Sequence, residues 1–400
     1  MEESFTLNKS QSKLSFTVAL ILIATNLRMA IISIPPLTSI LEQGLHMSQP
    51  QIGMLTSIPL ICFGIFSVII GALAQKWNVK VLIASFLALL MVFNFLRVYN
   101  QTLLYIGTFA VGLSITALNV LIPVIVLQSG RTDTNRLNGI YTATFNVCAA
   151  VVSLIIVPLA HLISWQIAIQ LLSLPALIAL IGWTMTPQNH QPAPAHTAQP
   201  LWHRYGHFIT TRQVWFLTFF FGFQSLIFYV TSAWLPSIMT SHGMSSTLAG
   251  IFFGIFQFIG VPASYFAPQL MNSREQLHRM FWLIGIGYLL GFALLALNTG
   301  RITDLLACLS LGITSSASFA MALTLITMVS PTPQDAGVIG GIVQSCGYLI
   351  ASSGPLLAGI MIKSLGNWLL ILGVLGVIAI LLLTMGLSLV RNVDASFGKH

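Results

Sequence analysis

Apolar residues run in stretches of about 20 or more along almost the whole chain, separated by short polar segments. Each stretch is long enough, as a helix, to cross a hydrocarbon core of ~30 Å. The pattern predicts spans at roughly 16–41, 49–75, 80–98, 102–127, 137–162, 165–185, 212–240, 246–271, 278–297, 303–328, 336–362 and 366–390. A helix satisfies its own backbone N–H and C=O groups inside lipid, and the ten-residue alternation of a membrane β-barrel is absent. The expected fold class is therefore all-α, with twelve transmembrane helices. One connection breaks the rhythm. Residues 187–211, rich in Pro, Gln, His and Ala, have no apolar periodicity and read as a linker. The expected organisation is an N-terminal six-helix bundle over 1–186, a linker over 187–211, and a C-terminal six-helix bundle with a short tail over 212–400. The first apolar run is too long for a cleavable signal, carries an arginine, and is expected to be the first span.

A short repeat supports two equal halves. Met47-Ser48-Gln49-Pro50-Gln51-Ile52-Gly53 recurs as Met244-Ser245-Ser246-Thr247-Leu248-Ala249-Gly250, each copy after a long span with a proline motif and a glycine. Ser48 and Ser245 are suited to cap the helix that follows. Parallel repeats of six spans are the pattern of major facilitator transporters.

Composition then narrows the function. Only 6% of the 400 residues are charged, far fewer than a soluble surface of this size requires. The formal charge of +8 does not point to nucleic acid, because the basic residues sit between spans and not in a patch. Lys9, Lys13, Lys76, Lys80, Arg131, Arg136, Arg204, Arg212, Arg274, Arg279, Arg391 and Lys399 share one side; only Arg97, Arg301 and Lys363 take the other. This bias predicts an inner-membrane protein with both termini and the linker in the cytoplasm. The four cysteines fall inside spans without a C-x-x-C pair, so no disulfide framework or zinc site is expected. His190, His196, His203 and His207 lack acidic or cysteine companions and read as a solvated linker, not a metal tract. No nucleophile and base share one depth, so catalytic residues, metals and cofactors are all expected to be absent. The expected partners are a small-molecule substrate and the lipid bilayer, with the chain acting as a monomer.

The polar residues inside spans carry the candidate chemistry. Arg28 lies about halfway along the first span, where an arginine costs ~2.5–3.5 kcal/mol on insertion scales. All eight Asp and Glu lie in tails, loops or span ends, so no acid is expected at its depth. Its guanidinium offers five donors in a fixed fork and suits an anionic or strongly polar substrate. The absence of a mid-span carboxylate also disfavours a simple Asp/Glu proton relay; Glu42, Asp304, Asp335 and His161 are all near boundaries. Substrate exchange, uniport and coupling through a protonated substrate stay open. Asn119, Gln224, Tyr229, Gln344 and Tyr348 are the candidate substrate-binding partners, and the i,i+4 spacing of Gln344 and Tyr348 puts them on one helix face. Asn146, Phe145, Phe228, Trp234, Gln257 and Arg97 are weaker candidates for cavity lining, since interhelical hydrogen bonding and packing are the ordinary roles of such residues.

Several segments resemble a known family. Gly71-Ala72-Leu73-Ala74-Gln75-Lys76-Trp77-Asn78-Val79-Lys80, read as the loop after span two, resembles the major facilitator loop motif, departing from it at Gln75, Asn78 and Val79. Asn26-Leu27-Arg28, Ala117-Leu118-Asn119-Val120-Leu121-Ile122-Pro123, Leu96-Arg97, Gly222-Phe223-Gln224-Ser225-Leu226-Ile227-Phe228-Tyr229-Val230 with Trp234-Leu235-Pro236, and Gln344-Ser345-Cys346-Gly347-Tyr348 through Gly354-Pro355 are similar to motifs of the cyanate and 2-nitroimidazole transporter family. The resemblance implies a major facilitator fold and movement of a small polar or anionic solute through a central cavity between the halves. The leading expectation is transport by alternating access with Arg28 as anchor. The competing expectations are a drug exporter of the same fold, with a more apolar cavity, and a membrane sensor that binds a solute without carrying it.

Overall fold

A computed structural model of the protein describes residues 16–128, 134–186, 206–271, 273–331 and 333–392. Twelve helices within these are long and apolar enough to cross a membrane. They are α1 (Phe16–Leu45), α2 (Gln49–Lys76), α3 (Val79–Leu96), α4 (Gln101–Gln128), α5 (Thr134–Ile163), α6 (Trp165–Met185), α7 (Arg212–Ser241), α8 (Ser246–Phe266), α9 (Arg274–Leu297), α10 (Arg301–Met328), α11 (Pro333–Leu365) and α12 (Trp368–Asn392). The short described turns, such as those at 46–48, 77–78 and 242–245, make the helices they join antiparallel. We call the end holding Phe16 and the α2–α3 turn the near end, and the end holding the α1–α2 and α7–α8 turns the far end.

Polar side chains start the helices where the apolar runs begin. Ser48 and Gln51 form a reciprocal capping box on α2, with the Ser48 N–H donating to Gln51 Oε1 at 2.7 Å. Ser245 accepts from the Leu248 N–H at 3.3 Å in the second copy of the repeat. The motif read as a loop from Gly71 is helical through Lys76, leaving only Trp77 and Asn78 as the turn. Residues 206–209 of the expected linker are helical; residues 187–205, with His190, His196, His203 and Arg204, lie outside the described residues. So do Lys9, Lys13, Arg131 and Lys399.

Helix α1 is not continuous. Residues 25–28 form a turn, and regular helix resumes at Met29–Ile32 before a 3-10 turn at Pro35–Leu37. Thr25 Oγ1 donates to the Leu22 carbonyl at 2.7 Å, and Asn26 Nδ2 donates to the same oxygen at 2.9 Å. Such local bonds compete with the helical ladder and loosen it. Two neighbours brace the break. Asn26 Nδ2 reaches Pro175 O of α6 at 3.3 Å, and Arg97 Nη2 reaches Ala30 O at 2.8 Å.

Helix α2 packs along α11 more extensively than any other pair, and α5 also packs along α8. The far end of this seam is tight. A Cβ on Gly53 would fall 2.3 Å from the Pro355 carbonyl oxygen, and one on Gly359 would fall 2.6 Å from that of Gln49. Glycine is what lets the two backbones meet. Ser39 Oγ and Ser246 Oγ lie 3.4 Å apart at the same end. The apolar core is continuous there: Ile34, Leu37, Leu41, Ile52 and Leu55 share one buried cluster with residues of α7–α12. Toward the near end α1–α6 keep a separate cluster, including Leu20, Ile23, Leu87 and Leu118. The two sets of helices are joined at the far end and parted at the near end.

Candidate substrate cavity

The parting encloses a cavity of ≈ 940 Å³. Its lining on α2 runs from Phe63 to Ala72, and on α11 from Tyr348 back to Gly337. It therefore starts at mid-depth and extends to the near end. The far-end contacts of Gly53 and Gly359 lie beyond its floor.

Arg28 stands at that floor because the break in α1 turns it out of the helical ladder. The side chain is half-buried and its Nη1 donates to Asn146 Oδ1 of α5 at 3.2 Å. The guanidinium lies 4.8 Å from the Phe145 ring centroid and 5.5 Å from that of Phe228. Cation–π contacts of this kind are worth ~0.5–2 kcal/mol and offset part of the cost of the buried charge. Tyr229 and Tyr348 line the same cavity. Their rings are 6.4 Å apart, and Tyr348 also packs on Phe63 at 5.3 Å and Phe221 at 5.1 Å. Among the described residues, Arg28 has no carboxylate partner, and it carries the one formal charge in the lining. The remaining polar lining consists of amides, hydroxyls and phenols: Asn119, Gln344, Thr116, Ser67, Ser345, Tyr141, Tyr229 and Tyr348. Such a wall can desolvate a small solute, meet negative charge with one fixed cation, and offer neutral hydrogen bonds around it.

The sequence profile of the Major Facilitator Superfamily matches residues 16–355. The chain belongs to that superfamily. It is 31% identical over 366 residues to the uncharacterized transporter YycB of Bacillus subtilis (strain 168), covering 90% of each chain. It is 27% identical to the 2-nitroimidazole transporter of Escherichia coli (strain K12), covering 96% of this chain and 97% of that one. It is 23% identical to the cyanate transport protein CynX of the same organism, covering 94% and 97%. The crystal structure of the nucleoside transporter NupG superposes with a TM-score of 0.75 at 16% identity, covering 94% of this chain and 98% of that one. The protein is thus a multi-pass membrane protein and a secondary transporter, not an enzyme, and the family resemblance read from the motifs holds.

The transporter's cavity is lined by Arg28, Asn119, Tyr229, Gln344 and Tyr348, and the rings of Phe145 and Phe228 beside the arginine complete a common wall. Asn146 is absent from the wall and reaches the site through its bond to Arg28. Four expectations are corrected by the packing. Gln224 is buried beside its neighbour, donating to Ser225 Oγ at 2.6 Å, and does not line the cavity. Trp234 lies in the far-end core, where its Nε1 donates to Pro355 O at 3.0 Å and its ring packs on Trp368. Gln257 is buried in α8 outside the cavity. Arg97 is 1% exposed and serves the α1 backbone instead of the cavity. Sequence reasoning missed Thr116, Tyr141 and Ser345, though Thr116 and Tyr141 stand one helical turn before Asn119 and Phe145. It also missed the pair of His242 with buried Asp304, whose Nδ1 and Oδ1 atoms are 3.0 Å apart at the far end. Residues 62 positions apart give no periodic signal.

Proposed function

We propose that the protein moves a small anion, or a small solute with concentrated negative charge such as a nitro group, across a bacterial inner membrane by alternating access. Arg28 anchors the negative group, Asn119, Tyr229, Gln344 and Tyr348 complete the polar contacts, and Phe145 and Phe228 close over the guanidinium. One observation carries this reading: among the described residues, a guanidinium with only neutral neighbours stands at the floor of an otherwise uncharged cavity. Positive charge left unpaired in a membrane is costly unless a ligand offsets it. The bias of Lys and Arg toward the near end makes that end cytoplasmic, so this conformation faces the cytoplasm. Residues 1–186 and 212–400 act as the two rocking units, joined by 187–211.

Two relatives, a cyanate transport protein and a 2-nitroimidazole transporter, support this solute class. The test is a thermal-shift screen of purified protein against small anions and nitro-heterocycles. A hit that disappears in Arg28→Ala supports the anchor; binding and uptake unchanged in that variant, with normal folding, would reject it. A second reading draws on the size of the cavity and its Phe63, Phe145, Phe228 and Phe319 walls: export of heteroaromatic drugs. Overexpression that raises resistance to nitro-heterocycles, without uptake of small anions, would favour it.

A further inference from the structure

The lone charge in the cavity also limits how the transporter can complete its cycle. Arg28 hydrogen-bonds to an amide oxygen and lies against two phenyl rings. The cavity wall holds no Asp, Glu, His or Lys among the described residues. Its other polar groups are amides, hydroxyls and the phenols of Tyr141, Tyr229 and Tyr348. The acids of the far end are engaged elsewhere, Glu42 with Gln49 and Asp304 with His242, and neither lines the cavity. Arg28 cannot retreat readily toward water either, because the break that carries it is tied to α6 through Asn26 and to α3 through Arg97.

The far end is shut by backbone contact at Gly53 and Gly359. To expose the site on the other side, the near end must first close over Arg28. With an anion bound, the occluded cavity is neutral. Without one, the closed bundle would enclose an uncompensated guanidinium, which buried-charge energetics strongly disfavours. A transporter with a carboxylate in its cavity can neutralise the cation internally and return empty. This cavity offers no such group.

We infer that the protein is an anion exchanger: each reorientation carries an anion, the empty carrier does not return at a comparable rate, and protons take no part. The inference rests on Arg28 being the anchor. Exchange of anions of equal charge moves no net charge, so neither membrane potential nor a pH gradient drives it.

The experiment uses the full-length protein in liposomes, with cyanate and nitrate as probes. Uptake of labelled probe is compared between vesicles preloaded with the same unlabelled anion and vesicles loaded with sucrose in a zwitterionic buffer. Preloading is expected to speed uptake by about tenfold or more, equivalent to a ~1.4 kcal/mol penalty on empty return. An imposed pH gradient is expected to change nothing. Equal uptake into both kinds of vesicle, or accumulation driven by the pH gradient, overturns exchange while leaving the anchor intact, provided that Arg28→Ala abolishes probe binding. If neither probe binds, or if Arg28→Ala binds and transports like the parent, the anchor reading fails and exchange falls with it.

A variant with a built-in counter-ion adds a positive test. In Asn146→Asp a carboxylate replaces the amide that holds Arg28. Probe binding should weaken about tenfold, and the uptake that remains should lose its dependence on internal anion. Gln344→Glu, on the opposite wall, makes the same test if Asn146→Asp does not fold. Trans-stimulation that persists undiminished in a folded variant of either kind would overturn the inference.

Discussion

The cavity floor around Arg28 and the far-end core around Arg97 each contain an arginine that lacks a carboxylate partner among the described residues, yet their surroundings differ in kind. Arg97 is 1% exposed, its Nη2 donates to Ala30 O at 2.8 Å, and its Nε is buried without a partner. Helix α4 closes on it so tightly that a Cβ on Gly107 would fall 2.3 Å from the Arg97 Cβ. Arg28 is half-buried, gives one hydrogen bond to an amide, and keeps its other donors beside an open volume. Arg28 carries the cost of a mid-span charge, and Arg97, at the end of α3, carries the cost of burial in a packed core. What separates them is where the donors go: Arg97 uses its charge to hold backbone, and Arg28 presents its charge to space. A buried arginine is therefore a candidate site only when its donors face a volume that a solute can enter.

The sharpest way to break this comparison is to remove each charge in turn. Arg28→Ala should lower uptake about a hundredfold, the equivalent of ~2.7 kcal/mol of lost transition-state stabilisation. Its melting temperature should stay level or rise, because a costly intramembrane charge has gone. Arg97→Ala should do the reverse. It leaves a void and an Ala30 carbonyl that keeps only the Ser33 hydroxyl as donor, costing roughly 2–4 kcal/mol of stability. Uptake per folded molecule should fall less than about tenfold, through looser placement of Arg28. Thermal melts of the detergent-solubilised proteins, read beside uptake normalised to monodisperse material, check both. An Arg97→Ala protein that melts normally and carries nothing would reverse the assignment of the two arginines.

The pattern of apolar runs made the twelve spans legible, because each run matches the thickness of the membrane and the breaks between runs are polar. Arg28 was legible for the same reason: one charge in a long apolar stretch stands out. The interruption of α1 was not. Phe16 to Leu45 is apolar enough to read as one helix, and the groups that fix the break, Pro175 O on α6 and Arg97 on α3, are remote in sequence. Gln224 and Gln344 show the same limit from the other side. Both are mid-span amides, and only packing tells that Gln224 bonds to adjacent Ser225 while Gln344 faces the cavity. Spacing helped where two polar residues reinforced one face, as with Gln344 and Tyr348. It could not help with Arg97, whose role depends on a carbonyl 67 residues away.

The third prediction concerns the seam that separates the two regions. Gly53→Ala places a methyl group where the Pro355 carbonyl now sits, whereas a Cβ on Gly71, at the near end of the same helix, meets nothing within 4 Å. The first change should push the far end open and slow transport by about tenfold, since it alters the balance between the two access states without touching the anchor; the free energy involved is ~1.4 kcal/mol. Gly71→Ala should leave the far end as tightly closed as in the parent. Labelling of single cysteines introduced on the far-end faces of α2 and α11 would report the opening directly. If both glycine variants behave alike, the two ends do not differ in closure as the packing indicates.

The smallest expected effect sharpens the chemistry of the cavity alone. The Tyr348 ring is held by Phe63 at 5.3 Å and Phe221 at 5.1 Å, so Tyr348→Phe removes a hydroxyl and keeps the packing. A neutral hydrogen bond to a bound solute contributes ~0.5–1.5 kcal/mol, which predicts a rise in apparent KM of about threefold to tenfold. Stability should not change, because Phe fills the same slot among the same rings. A rise confined to KM would place the hydroxyl against the bound solute in its ground state. A fall in maximal rate with KM unaltered would instead assign it to the closing movement, where α11 slides along α2 and the phenol passes from one neighbour to another. The first outcome keeps solute recognition centred on Arg28; the second extends the cavity's role to the step that seals it.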